Sequence, residues 1–271
     1  MRRILSTRET IEVGRCIYCG EVDGRLSEEH VTPFGLSGAL VLLHASCQKC
    51  ADITSRLEGG VLSRWFAARA ALGTKTRRKK ERLKARPMFI EKNGSLEKVL
   101  AFWQDQWKVI HLPIFPIPAY IDGRAYHGGI DQVSMDQFEL SERVHDIAKR
   151  HSADRIVQAA QKPEDFARFI AKMAYGYAVA RYTINAFEKV YVASAILGDS
   201  DDIGRWVGCS DRREFPVREC NVSVGFRIFE DRDFIVKIKM FPKFDGAEYV
   251  TVVGKLKELY ANYFHSLGHQ G

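Results

Sequence analysis

The sequence predicts an α+β protein in two parts, a small cysteine-stapled N-terminal module and then a larger α+β domain with a mainly antiparallel sheet. Three observations point there. Two Cys-x-x-Cys pairs fall within the first fifty residues, the excess positive charge is confined to residues 61–87, and the last fifty residues are rich in β-formers between turn signals. With 271 residues, 46% hydrophobic and 28% charged, the chain is long enough to bury a sizeable core without disulfides. No stretch approaches the roughly 18 apolar residues of a membrane span. The start, MRRILSTRET, lacks the apolar core of an export signal, so a cytoplasmic, reducing setting is expected and no membrane partner.

In such a setting paired Cys-x-x-Cys motifs read as metal knuckles rather than disulfides. Cys16 and Cys19, then Cys47 and Cys50, have 27 residues between Cys19 and Cys47, room for a hairpin. Four thiolates complete a closed, tetrahedral structural Zn2+ site. Between the knuckles, Leu26 to Val31 and Ala39 to Leu43 read as strands around a turn from Pro33 to Gly38. After Cys47 the spacing of Ile53, Leu57, Val61 and Leu62 predicts a helix, weakened or bent at Gly59-Gly60, with a split expected there before VLSRWFAARAAL. The remaining cysteines, Cys209 and Cys220, are expected to act as small hydrophobic residues.

Residues 61–87 carry ten Lys/Arg against Glu81 alone, while the flanking segments 1–60 and 88–271 are each within one charge of neutrality. This block, with its preceding helix, divides a module at 1–60 from a domain at 88–271. A segregated cationic stretch suits a polyanion; as a bare linker it would be only solvated. Beyond it, Asn93-Gly94 marks a hairpin. The proline-bearing WKVIHLPIFPIPAYI is at best an edge strand. Helices are expected over 135–151 and 163–182, the latter with close packing at Ala174, Gly176 and Ala178. Strands are expected in CNVSVGFRIFE, DFIVKIKMF and GAEYVTVVGKL. His111, His127, His145 and His151 are scattered and read as structural, and Trp65 and Phe66 as helix core.

CIYCG, then LSEEHVTPFGLSG, then LHASCQKC resembles the His-Asn-His (HNH) endonuclease family, specifically its four-cysteine bacterial branch with a ββα-metal fold. The resemblance covers residues 16–57. It implies a hairpin and helix gripping a catalytic divalent ion, Mg2+ or another, with zinc holding the scaffold. Carried over, Glu29 is the metal-binding acid and His30 the general base. Strand alternation leaves Glu28 as the other choice, because Glu28 and His30 share a face. His44 lies near the family's bracing asparagine and either braces the hairpin or sits on its surface. The sequence departs from the family at Ala51, where a ligating Asn or His is usual; Asp52, about 100° further round the helix, is either a substitute ligand or a solvated residue.

The expected function is therefore metal-dependent hydrolysis of DNA phosphodiesters, with a non-catalytic zinc module that binds nucleic acid as the alternative. Lys75, Arg77, Arg78, Lys79, Lys80, Arg82, Lys84 and Arg86 are the expected backbone clamp. DNA is the expected partner, with RNA left open, and targeting, regulatory binding or self-association is left to the C-terminal domain.

Overall fold

The computed structural model describes residues 8–74, 84–140, 144–211, 214–216, 218, 220–229 and 232–266. Its first three strands, β1 (Glu9–Glu12), β2 (Leu26–His30) and β3 (Leu40–Cys47), form a sheet in the order β1-β3-β2, with β1 parallel and β2 antiparallel to β3. The expected hairpin is present, but β3 runs on to the second knuckle instead of stopping at Leu43. The edge strand β1 has only Thr10 and Ile11 as β-formers and was not foreseen. The β2–β3 register shifts between Ser27 and Glu29: Ser27 pairs with Ser46 but Glu29 with Leu42, so Glu28 alone spans Leu43 to Ala45. His44 takes up the slack with a φ of 48°. Between the strands, Gly38 is required by close approach, because a Cβ there would stand 1.9 Å from the Thr32 carbonyl oxygen.

Helix α1 (Gln48–Arg64) starts directly on Cys47 and runs unbroken through Gly59-Gly60, so the split expected there is corrected. Leu57, Val61 and Leu62 are buried on either side of the glycines, and that packing outweighs a propensity cost of about 1 kcal/mol per glycine. The break falls instead at Trp65, ahead of α2 (Phe66–Ala71). Its indole is buried, donates to the His111 carbonyl at 3.3 Å and meets Phe166, Phe169 and Phe241 edge-on, so Trp65 is core as expected.

In the second part, β4 (Arg86–Lys92) and β5 (Ser95–Ala101) form the expected hairpin, with Asn93 and Gly94 both at positive φ, as a tight primed turn requires. Next come β6 (Val109–Ile114), α3 (Ala119–Asp122), β7 (Ser134–Glu139), α4 (Val144–Arg150) and β8 (Arg155–Val157). The single helix expected over 135–151 is thus a correction: its first part is a strand paired with β6, where Phe138 stacks on Phe244 at 5.0 Å, and only the last part is helical. Helix α5 (Pro163–Tyr182) matches its expected span. The chain continues through β9 (Phe187–Val190), α6 (Ala193–Leu197), α7 (Ile203–Trp206), β10 (Val207–Cys209), β11 (Val222–Phe229), β12 (Asp233–Met240), β13 (Glu248–Leu256) and α8 (Glu258–Ser266).

Strands β10, β13, β12 and β11 form an antiparallel sheet in that order, and β9 also pairs with β13. Helix α5 packs against β12 and β13 and also against α1. One buried cluster therefore holds Ile17, Val31, Leu57 and Val61 of the first part together with Phe166, Tyr175 and Phe234 of the second. Cys209 is buried as expected, whereas Cys220 is exposed, so its reading as a packed small residue is corrected. Among the described residues no helix is long and apolar enough to cross a membrane.

The Gly38 contact gives a direct check. Gly38→Ala forces a methyl group into backbone that cannot swing aside, so urea denaturation should show a loss of about 1–3 kcal/mol or more. Gly59→Ala meets nothing within 4 Å and should be neutral or stabilising.

Candidate metal centre and the hairpin around His30

Two short pieces of chain bring the cysteines together. In the first knuckle the Gly20 amide donates to the Cys16 carbonyl and the Cys16 amide to the Glu21 carbonyl; the positive φ of Gly20 closes this turn. In the second, Cys47 ends β3 and Cys50 lies in the first turn of α1. All four Sγ atoms lie within 4.8 Å of one another, with Cys19 and Cys47 at 3.6 Å. A tetrahedral Zn2+ with Zn–S bonds of about 2.3 Å sets its sulfurs about 3.8 Å apart. Soft sulfur donors at this spacing are positioned to bind a metal ion and are compatible with structural zinc. Burial raises the Cys19 and Cys50 thiols; at Cys47 burial acts the same way, but hydrogen bonds from Cys50, Cys19 and Cys16 outweigh it and lower the thiol.

The acidic pair of β2 is split by the strand. Glu28 points outward and meets Arg8 at 2.5 Å. Glu29 points inward, where the Lys172 ammonium of α5 lies 2.6 Å from its Oε1 and 2.6 Å from Glu58 Oε1 on α1. The same ammonium donates to the His30 carbonyl. Side-chain exposure is 1% for Lys172, 7% for Glu29 and 21% for Glu58, so the first two charges are desolvated almost completely. Burial pushes the Glu29 carboxyl up, and Lys172 offsets only part of that. Burial works against the Lys172 charge, yet Glu29 and Glu58 more than compensate and hold the ammonium above the usual lysine range. Tyr18, buried beside them, has its phenol raised by desolvation and then by the charges of Glu29 and Glu58.

His30 ends β2 half-buried, its ring edge-on to Phe34 at 6.0 Å. The loop that follows is held from three sides. The Thr32 and Tyr177 hydroxyls are 2.6 Å apart, Arg69 Nε donates to the Gly35 carbonyl at 2.8 Å, and Asn221 donates to the Leu36 carbonyl at 3.0 Å. Asp52 lies on the exposed side of α1, where Gln48 donates to its Oδ1 at 2.7 Å. His44 Nδ1 reaches Glu12 Oε1 of β1 at 2.7 Å, an exposed contact at the surface of the sheet.

Among the described residues, only the four cysteines form a group of three or more His, Cys, Asp or Glu side chains whose ligand atoms could share an ion. Glu29, His30 and Asp52 are not brought together in this way. Of the expected clamp, Lys75, Arg77, Arg78, Lys79, Lys80 and Arg82 lie outside the described residues. Lys84 is exposed, and the Arg86 guanidinium sits over the Phe66 ring at 4.8 Å. Two further cations of the block have structural bonds: Arg69 to Gly35, and Arg64, whose Nε donates to the Ala160 carbonyl at 2.8 Å. Lys172 and Glu58 were missed by sequence reasoning. The available signal was a lone lysine among apolar residues of FARFIAKMAYGYAVA, since buried lysine is rare without a partner.

Comparison of the chain with protein-family models, curated proteins and solved structures returns no match.

The sulfur cluster yields a clear expectation. Purified protein should carry one zinc per chain by elemental analysis, and Cys50→Ser should lose it. Because metal binding is folding free energy in a small module, a strong chelator or this substitution should cost several kcal/mol of stability, on the order seen when structural zinc is withdrawn.

Proposed function

We propose that this chain is a nucleic-acid-binding protein. Its N-terminal ββα unit, resembling the HNH family and held by zinc at Cys16, Cys19, Cys47 and Cys50, supports a basic segment that engages the phosphate backbone of DNA. The observation that carries this reading is the concentration of ten cations against one acid in residues 61–87. The segment follows a fixed point: Thr74 is buried and bonded to the Arg69 carbonyl, and Arg69 in turn holds Gly35 in the loop after His30. The described chain thus reaches Thr74 beside the loop that closes the hairpin, and the basic stretch from Lys75 to Arg86 follows it in sequence. Affinity from such a segment comes from released counterions and falls steeply with salt.

A second reading, hydrolysis, is favoured by the place of His30 at the end of β2 in a ββα unit. There the imidazole would accept a proton from water, and a divalent ion, were one held beside it, would supply charge stabilisation at the phosphate. Binding without cleavage is preferred because Glu29 already carries an ammonium and Asp52 is turned to the exposed side of α1.

Fluorescence anisotropy with duplex DNA tests the first reading. Binding should weaken by about a thousandfold between 50 and 200 mM salt if six or more phosphates are contacted. Replacing Arg77, Arg78, Lys79 and Lys80 by Gln should weaken it and flatten that dependence. Absence of binding at 50 mM salt would end both readings. Plasmid cleavage with Mg2+ or Mn2+ that His30→Ala abolishes, with zinc content unchanged, would replace the binding-only reading by hydrolysis.

A further inference from the structure

We infer that Lys172 is a built-in cation. Its ammonium occupies an oxygen-lined position between β2, α1 and α5 whose donors, the Glu29 and Glu58 carboxylates and the His30 carbonyl, are those of a divalent-cation site. The inference stands independently of nucleic-acid binding and concerns the chain with its four-cysteine centre intact.

The chemistry of the position is that of a hard cation. Two carboxylate oxygens lie 2.6 Å from Nζ, and a main-chain carbonyl accepts from the same nitrogen. Carboxylate and carbonyl oxygen are the donors that Mg2+, Mn2+ and Ca2+ take. The donors come from two elements, β2 and α1, and the ammonium from a third, α5, so the cation joins the hairpin, the helix after it and the central helix of the second part. Lys172 lies within a helix whose neighbouring residues Phe169, Ile170, Ala171, Met173, Ala174 and Tyr175 are all buried. Its charge therefore has no route to solvent along its own helix and is used inside the fold.

Charge balance favours this assignment over a purely packing role. Two carboxylates and one ammonium sum to one negative charge, whereas a divalent ion in the same place brings the sum to zero. Breaking a buried ion set by removing one partner is costly because the other charges stay behind unpaired. Removal of the lysine head therefore leaves a cavity with two carboxylates and a carbonyl facing it, and a dication is the species that neutralises it best. The ammonium makes the hairpin independent of a second metal. It also keeps Glu29 from the ligand role that the resemblance implies for it.

The test is a Mn2+ titration of zinc-loaded, full-length protein, with free Mn2+ read by electron paramagnetic resonance and thermal stability read in parallel. Wild type should take up no Mn2+ at this position. Lys172→Ala should take up one Mn2+ per chain, its Tm should rise with Mn2+, and the added Glu29→Gln change should abolish both effects. Where Lys172→Ala is unfolded without added cation, Mn2+ should restore its helical circular dichroism. A folded Lys172→Ala variant that ignores Mn2+, an unfolded one that Mn2+ fails to restore, or a wild-type Mn2+ site lost with Glu29→Gln would each overturn the inference.

Discussion

The convergence of four sulfur atoms at the junction of β3 and α1 is the constraint on which the first third of the molecule depends. One pair comes from a tight turn before β2 and the other from the strand end and first helical turn, so an ion there joins three pieces of backbone at one point. With that junction fixed, α1 leaves in a set direction and delivers Leu57, Val61, Leu62 and then Trp65 to the common core. Four sulfur donors held this close are positioned to share one metal ion, whose binding would add its free energy to that of folding.

A second constraint comes from α5, which meets the hairpin over two turns. Lys172 bonds Glu29 and the His30 carbonyl, Tyr175 donates to the Ile17 carbonyl at 2.6 Å, Gly176 lets Val31 approach, and Tyr177 meets Thr32. A methyl group on Gly176 would stand 3.2 Å from the Val31 side chain, so the small residue sets the helix-to-hairpin distance. Hydrogen bonds from a buried cation add little net stability, because desolvation takes back most of the Coulomb gain, whereas removing one partner is costly. The hairpin around His30 is accordingly positioned by the second part of the chain as well as by its own strands.

The elements with local signals were legible in the sequence. Cys-x-x-Cys spacing marks the knuckles, Asn93-Gly94 needs a turn with positive φ, and Pro163 with Glu164 and Asp165 opens α5 where capping chemistry expects it. What failed depended on distant partners. Residues 135–139 were read as helix, but their pairing with β6 decides the matter; Gly59-Gly60 were expected to split a helix that runs on unbroken into the core. The family resemblance assigns Glu29 to a metal, whereas the fold sets an ammonium 143 residues away in sequence against it, and no spacing rule within residues 16–57 shows that partner.

X-ray absorption at the zinc edge of the purified protein tests the sulfur junction most directly. Four sulfur scatterers at about 2.3 Å are the result expected of a closed tetrahedral centre. A first shell containing nitrogen or oxygen, or protein that folds with no bound metal, would contradict it.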